Sequence, residues 1–373
     1  MIGAFWNVRG LNKEGRLQSV TDFVNENKLD FVGFHETKKE SINNSFLNYV
    51  HKGFAWQTLP AKGTAGGILV GVNERKFETI AWKIGSYCVA GILRNNLDHF
   101  VWRLIVVYGS PYEEGKSEFL LEIESLLANW DGPTVIGGDF NITISAKEKS
   151  NGIINHKWAD SFQDLINKWG LIELKNSTRS FTWTNNQDRP ILAAIDKIFC
   201  TVNFEQKYPL AFVTAKARAG SDHVPLVLNF GVTEPKKPSL FRFEKWWLEQ
   251  PGFKELVRDI WNTPCAFDDP LDIWQFKTRL FRKKVKGWAI NSNASIRKQK
   301  QLLLKEFEVL DILQEERILT DKEKEKMKNI EGELEAIWRL EEMKAKQRSR
   351  DRNIKGRTQC RELPLCAGSG EGC

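Results

Sequence analysis

The chain has 373 residues, of which 41% are hydrophobic and 28% charged, with 55 Lys+Arg against 48 Asp+Glu for a formal charge of +7. That composition excludes a disordered chain, a collagen-like repeat and a small disulfide scaffold. No apolar run approaches the roughly 20 residues that cross a bilayer, and the N-terminus lacks a basic start, apolar block and cleavage site. A soluble intracellular protein is therefore expected, with its cysteines reduced. The charge is unevenly placed: 25 basic residues meet 24 acidic over 1–232, but 30 meet 24 over 233–373. A neutral domain with a basic appendage is the layout this suggests.

In chain order, short apolar runs bounded by Gly, Asn and Pro predict strands at 2–7, 30–35, 66–72, 87–93, 100–108, 134–137, 180–184, 195–200 and 224–230. Amphipathic spacing predicts helices at 16–26, 116–128 and 158–168. Several strands are too closely spaced for helical crossovers, so the sheet structure must be partly antiparallel, an α+β sandwich. Residues 231–239, Gly-Val-Thr-Glu-Pro-Lys-Lys-Pro-Ser, read as a linker after a domain over 1–230. Beyond it, 240–350 reads as a basic α-helical connector and 351–373 as a disordered tail. Thr320-Asp-Lys-Glu323 has the form of a capping box. Apolar stripes at Leu303, Phe307, Leu310 and Leu313, and at Met327, Ile330, Leu334, Ile337 and Leu340, predict an antiparallel helical hairpin around it.

Chemistry-bearing residues recur at strand ends and in the turns after them: Asn7, Glu36, Asp139 and Asn141 in Gly-Gly-Asp-Phe-Asn, Asp196, and Asp222-His223 after Ser221. Loops at strand ends are where a mixed sheet assembles a site. Carboxylates such as Glu36 and Asp222 are the hard oxygen ligands that suit Mg²⁺. Singly, each has a plainer reading: Gly137-Gly138-Asp139 as a turn, Glu36 as a solvated helix-start carboxylate, Asp196-Lys197 as a surface ion pair. Asp196 nevertheless sits in an apolar strand, where an unpaired carboxylate is costly, and a partner such as His223 is expected. His35, His51, His99 and His156 are given no role.

The order of these elements, with Tyr108 in Val-Val-Tyr-Gly-Ser-Pro, resembles the endonuclease/exonuclease/phosphatase superfamily, which includes apurinic endonucleases and DNase I; the resemblance covers about 1–230. Trp6-Asn-Val-Arg-Gly-Leu11, His35-Glu-Thr-Lys38, Gly63-Thr-Ala-Gly-Gly-Ile68 and Phe181-Thr-Trp183 are most similar to the endonuclease of plant LINE-type non-LTR retrotransposons. Phe241-Arg-Phe-Glu244, Trp246-Trp247, Gln347-Arg-Ser-Arg350 and Asp351-Arg-Asn353 resemble the stretch that joins that endonuclease to a reverse transcriptase, which would follow where this sequence stops. Ala193-Ala194 stand where many relatives carry a basic or hydroxyl residue before the Ile-Asp pair.

The resemblance implies a four-layer α/β sandwich of two mixed sheets flanked by helices, followed by an α-helical region. It also implies Mg²⁺-dependent phosphodiester hydrolysis, with Mn²⁺ as a substitute. By it, Glu36, Asn7 and Asp222 hold the metal, and Asp139 orients or deprotonates the attacking water. Asn141, Tyr108 and Ser221 contact the scissile phosphate, and His223, oriented by Asp196, donates to a non-bridging oxygen. The implied partner is DNA, or RNA, in the nucleus or cytoplasm, with no membrane. The alternatives are a superfamily phosphatase or deadenylase and a non-catalytic nucleic-acid-binding or interaction protein. Nine basic residues and no acid between Lys277 and Lys300, interleaved with Trp288, and eight basic residues over 344–361 suggest a phosphate-binding face. Lys283, Lys284, Lys286, Arg348 and Arg350 are its candidates, and a solvated helix face is the plainer reading.

Overall fold

The computed structural model describes residues 1–63, 65–176, 178–231, 247–248, 252–265, 267 and 269–359, without the side chains of 286–287, 289–297, 340 and 344–359. The chain divides into two compact units, one of residues 1–232 and 304–373, the other of 233–303.

Two six-stranded mixed sheets form the centre of the first unit. One has the order β13-β14-β1-β2-β4-β3, built from β1 (Ile2–Asn7), β2 (Phe31–His35), β3 (Phe54–Leu59), β4 (Ile68–Asn73), β13 (Phe212–Ala215) and β14 (Leu226–Asn229). The other has the order β5-β6-β7-β8-β12-β9, from β5 (Phe77–Ile84), β6 (Cys88–Asn95), β7 (Val101–Tyr108), β8 (Thr134–Asp139), β9 (Ile172–Glu173) and β12 (Asp196–Cys200). A separate two-stranded ribbon pairs β10 (Trp183–Thr184) with β11 (Leu192–Ala193). Among the described strand pairs, only β1–β2 and β7–β8 are parallel, and the others are antiparallel.

Side-chain alternation explains why the inner strands read as unbroken apolar runs: each must bury both faces. Phe5, Phe31, Leu104 and Val106 point into the core between the sheets, which centres on Trp102. Their neighbours Ala4, Trp6, Val32 and Phe34 face outward to α1 (Arg16–Glu26) and α2 (Asn44–Val50). Ile105, Val107 and Ile136 face α3 (Glu113–Ala128) and α4 (His156–Lys168). The result is the four-layer sandwich that the resemblance implies, with a helical region after it. The strands absent from the sequence expectation are the edge strands β3, β5, β9 and β13 and the ribbon strand β11, together with the short helices α2 and α5 (Val202–Lys207).

Helices α6 (Phe253–Asn262), α7 (Pro270–Glu316) and α8 (Asp321–Gln359) follow among the described residues. In the second unit Trp247, Phe253, Ile260 and Val285 form a small core, with Phe281 and Trp288 against it. Trp288 is thus committed to packing on Trp247 and Phe253 rather than interleaved with the basic residues as a surface ring. Lys277 and Lys300 are likewise buried, the former donating to the Thr263 carbonyl, whereas Lys283 and Lys284 are exposed. The side chains of Lys286, Arg348 and Arg350 lie outside the described residues, as do the linker beyond Gly231 and residues 360–373.

The capping box forms: the Thr320 N–H donates to Glu323 Oε2 at 2.8 Å, and the Glu323 N–H donates to Thr320 Oγ1 at 3.4 Å. On the stripes, Phe307, Leu310, Ile330 and Leu334 are buried, and Trp338 rather than Ile337 continues the α8 face. From residue 304 onward the helices belong to the first unit, where α8 packs on α1. On sequence alone, 240–350 stands apart as a connector. The difference arises because carboxylates of the hairpin such as Asp311 and Glu315 meet partners in distant segments, which periodicity does not register.

Candidate active site

The ends of five inner strands bring the expected residues together. On one sheet Asn7 pairs with His35 across the parallel β1–β2 ladder, and Glu36 follows in a left-handed turn at φ 55°. On the other, β8 lies between β7 and β12, which sets Asp139 opposite both Tyr108 and Asp196. Gly138 makes this register possible, since a Cβ there would stand 2.1 Å from the Val107 carbonyl oxygen and its φ is +144°.

Asn7 joins the two sheets. Its fully buried amide donates from Nδ2 to Glu36 Oε2 and to Asp139 Oδ2, each at 3.0 Å. Two carboxylates gathered on one amide repel each other and favour a cation. Lys38 Nζ meets the other oxygen of Glu36 at 2.8 Å, and the Tyr108 hydroxyl also bonds Glu36. Burial first, then Glu36 and Asp139, push the Tyr108 phenol far above its usual pKa, so it remains a donor.

Asp196 and His223 form the second half of the site. Nδ1 of His223 lies 2.9 and 3.2 Å from the two Asp196 oxygens, and Nε2 faces Asp139 Oδ2 at 3.8 Å. Burial alone would lower the imidazole pKa, but Asp196 first and then Asp139 and Asp222 outweigh it and hold it above its usual range. Asp139 is raised, chiefly by burial, against the opposing His223 charge and the hydrogen bonds from Asn7 and the Asn141 N–H. A raised carboxylate is a better proton acceptor at neutral pH than an ordinary one.

The remaining expected residues surround this pair. Asn141, at φ 52°, donates from its side chain to the Gly109 carbonyl at 2.8 Å, and its own carbonyl accepts from Lys116 Nζ at 2.7 Å. Ser221 Oγ donates to the Asn7 carbonyl at 2.7 Å and accepts from the His223 N–H at 3.2 Å, so it ties the Ser-Asp-His turn to β1. Asp222 takes Arg9 at 2.8 Å and the Trp183 indole N–H at 3.3 Å, both on Oδ2, while its buried Oδ1 has no hydrogen-bond partner. Glu36 and Asp139, gathered on the Asn7 amide, offer hard oxygen donors of the kind a divalent cation takes, and Asp222 keeps one buried acceptor unpaired. Among the described residues, Asp139, Asp196 and His223 have ligand atoms all within 4.8 Å, although Asp196 and His223 already satisfy one another.

Sequence reasoning gave no role to Arg9, Lys38, Thr182 or Trp183. Thr182 Oγ1 accepts from the Asp196 N–H at 3.0 Å, and its carbonyl accepts from the Val224 N–H at 2.7 Å. It supplies support for Asp196 where Ala193-Ala194 offer only backbone. The Phe-Thr-Trp motif was the available signal. The basic candidates Lys283 and Lys284 belong to the second unit.

The model of the endonuclease/exonuclease/phosphatase family matches residues 4–223. Among solved structures, the endonuclease domain of TRAS1, a telomere-specific non-LTR retrotransposon, superposes with a TM-score of 0.50 at 15% identity, covering 62% of this chain and 99% of that one. An AP endonuclease from Archaeoglobus fulgidus gives 0.51 at 17%, covering 62% of this chain and 100% of that one. Both likenesses speak for the fold. A 149 kDa protein of transposon TX1 from Xenopus laevis is 24% identical over 177 residues, which is 45% of this chain but only 13% of that protein. With more than half of its length matched, from Ala4 to His223, the chain belongs to the endonuclease/exonuclease/phosphatase family.

Proposed function

We propose that the protein is a divalent-metal-dependent DNA endonuclease of the non-LTR retrotransposon type, with Mg²⁺ as its ion and Mn²⁺ as a substitute. It nicks one strand and leaves a 3′-hydroxyl. The observation that carries this reading is the Asn7 amide bound to Glu36 and Asp139 beside the Asp196–His223 pair. The likeness to the TRAS1 endonuclease domain and the TX1 protein supports a retroelement class, and the plant LINE-type motifs support that branch; a DNA substrate places the work in the nucleus.

Glu36, Asn7 and Asp222 would hold the ion, which when bound stabilises charge developing on the phosphoryl oxygens. The chain's own groups do the rest. Asp139, raised and pointed at the same space, accepts a proton from the attacking water. The charged His223, kept in one orientation by Asp196, donates from Nε2 to a non-bridging oxygen. Tyr108 and the second N–H of the Asn141 amide hold the phosphate. Ser221 fixes the turn that presents Asp222 and His223 and lies within reach of the same oxygens.

The test is nicking of supercoiled plasmid, run beside RNA and a phosphomonoester. Nicking only with Mg²⁺ or Mn²⁺, at ends a polymerase can extend, is expected. Equal nicking by an Asp139→Ala, His223→Ala double variant overturns the assignment. Turnover of the phosphomonoester alone moves the protein to the phosphatases, and turnover of none leaves a binding module.

A further inference from the structure

We infer that the helical hairpin after the sandwich is part of the catalytic apparatus, with Asp311 and Glu331 as positioning residues for the two segments that hold Asp222 and His223; this rests on the hydrolase reading above. Asp311, in the part of α7 that belongs to the first unit, is fully buried. One of its oxygens takes the guanidinium of Arg179 and the other that of Arg218, and the three side chains are only 0%, 1% and 5% exposed.

The two arginines open two separate active-site segments. Arg179 leads into Thr182, which carries the Asp196 N–H, and Trp183, which bonds Asp222. Arg218 leads into the Ser-Asp-His turn, and its carbonyl accepts from the Ser221 N–H at 3.0 Å. A single carboxylate therefore ties together, from behind, the segments that meet at His223. Glu315 adds a second clasp by accepting from the Ser180 N–H at 3.0 Å, and balances the charge of the two arginines.

From α8, Glu331 accepts from the Gly220 N–H and, with Glu335, faces the buried Arg16 guanidinium. Gly220 itself packs so closely on Arg16 that a Cβ would come within 2.5 Å of Nη1. The turn is thus held at Arg218 by α7 and at Gly220 by α8, both just before Ser221. In a desolvated cluster such ties are short and directional, unlike an exposed ion pair. Small displacements of a catalytic group cost rate out of proportion to their size.

The experiment compares full-length Asp311→Asn, Glu331→Gln and a control, Lys326→Gln, which breaks an exposed ion pair to Glu306 across the same hairpin. Two readings are taken well below each melting point: kcat and KM for plasmid nicking, and hydrogen exchange of peptides covering 179–184 and 216–224. Expected are a kcat lowered on the order of 100-fold, an unchanged KM, and faster exchange confined to those peptides, with the control unaffected. Wild-type kcat and exchange in both variants overturn the inference, as does an activity loss matched by the unfolded fraction alone. If Asp311→Asn does not fold, Glu331→Gln decides by the same readings. Failure of the wild type to cleave DNA sinks the nuclease reading instead, while the exchange data still report on the clasp.

Discussion

Asp196 grips His223 with both carboxylate oxygens, at 2.9 and 3.2 Å from Nδ1, and this leaves Nε2 as the only ring nitrogen turned toward Asp139 and the space a phosphate would enter. The pairing fixes which nitrogen carries the donated proton and opposes the desolvation that would otherwise neutralise the ring. Asp196→Asn keeps the shape and removes the charge, so the rate of nicking should fall by about 10²–10⁴-fold. Because the two residues act as a unit, Asp196→Asn should add little to His223→Ala in the double variant. Additive losses in kcat would show that Asp196 works on something other than the imidazole.

Glu36 is held by Asn7, Lys38 and Tyr108, and none of the three brings a second carboxylate to the ion. Glu36→Gln retains the shape and the bond to Asn7 but halves the hard-donor character. The Mg²⁺ concentration for half-maximal nicking should rise at least about 10–100-fold, the range seen when ligand support is removed. Chelation should abolish turnover in the wild type and excess Mg²⁺ should restore it. A titration curve that does not move would place the ion elsewhere, for instance on Asp139.

His35 gives a pH signature. It is fully buried, neither ring nitrogen has a hydrogen-bond partner, and burial followed by the His223 charge pulls its pKa down to about 3. The unfolded chain takes up that proton at the ordinary 6.5. Between these values the unfolded state binds more protons, so stability is level above pH 6.5 and falls below it by about 1.4 kcal/mol per unit. At a pH of about 5 the loss is about 2 kcal/mol. Denaturant midpoints at both ends of that range, in chelator, should differ by less in His35→Leu than in wild type. An equal pH dependence in the two proteins would show that His35 stays neutral for no cost.

The inner strands are legible in the sequence because each buries two apolar faces and ends in a polar residue that is costly in a core: Asn7 after Phe-Trp, Asp139 after Gly-Gly, Asp196 within Ile-Asp-Lys-Ile. Edge strands such as β5, with Ile80 and Ile84 near half exposed, lack that contrast, and the pairing on β6 rather than their own pattern makes them strands. Trp288 misled by its basic neighbours, whereas its spacing from Phe281 and Val285 is that of one helix face and was the better signal. The Asp311 clasp had no local trace at all: its carboxylate sits on a charged helix, and the arginines it binds lie in other segments far along the chain. Long-range charge pairing leaves no periodicity to read.

What remains of the basic stretch in the second unit is its exposed part, with Lys283 and Lys284 in solvent while Lys277 and Lys300 are buried. If those ammonium groups meet DNA phosphates, each such pairing releases counterions and adds to the slope of log K against log[salt]. Lys283→Gln with Lys284→Gln should then weaken binding equally for duplexes of unrelated sequence and lower the slope by about one for each phosphate that is no longer neutralised. Kcat at saturating DNA should stay at the wild-type value, since neither residue is among the groups that act on the reacting phosphate. Fluorescence anisotropy from about 50 to about 200 mM salt resolves a change of that size, because affinity over that interval moves by orders of magnitude. An unchanged slope would mean that these two lysines stay solvated and that the phosphates are met by other cations, such as Arg9 and Lys38 of the sandwich.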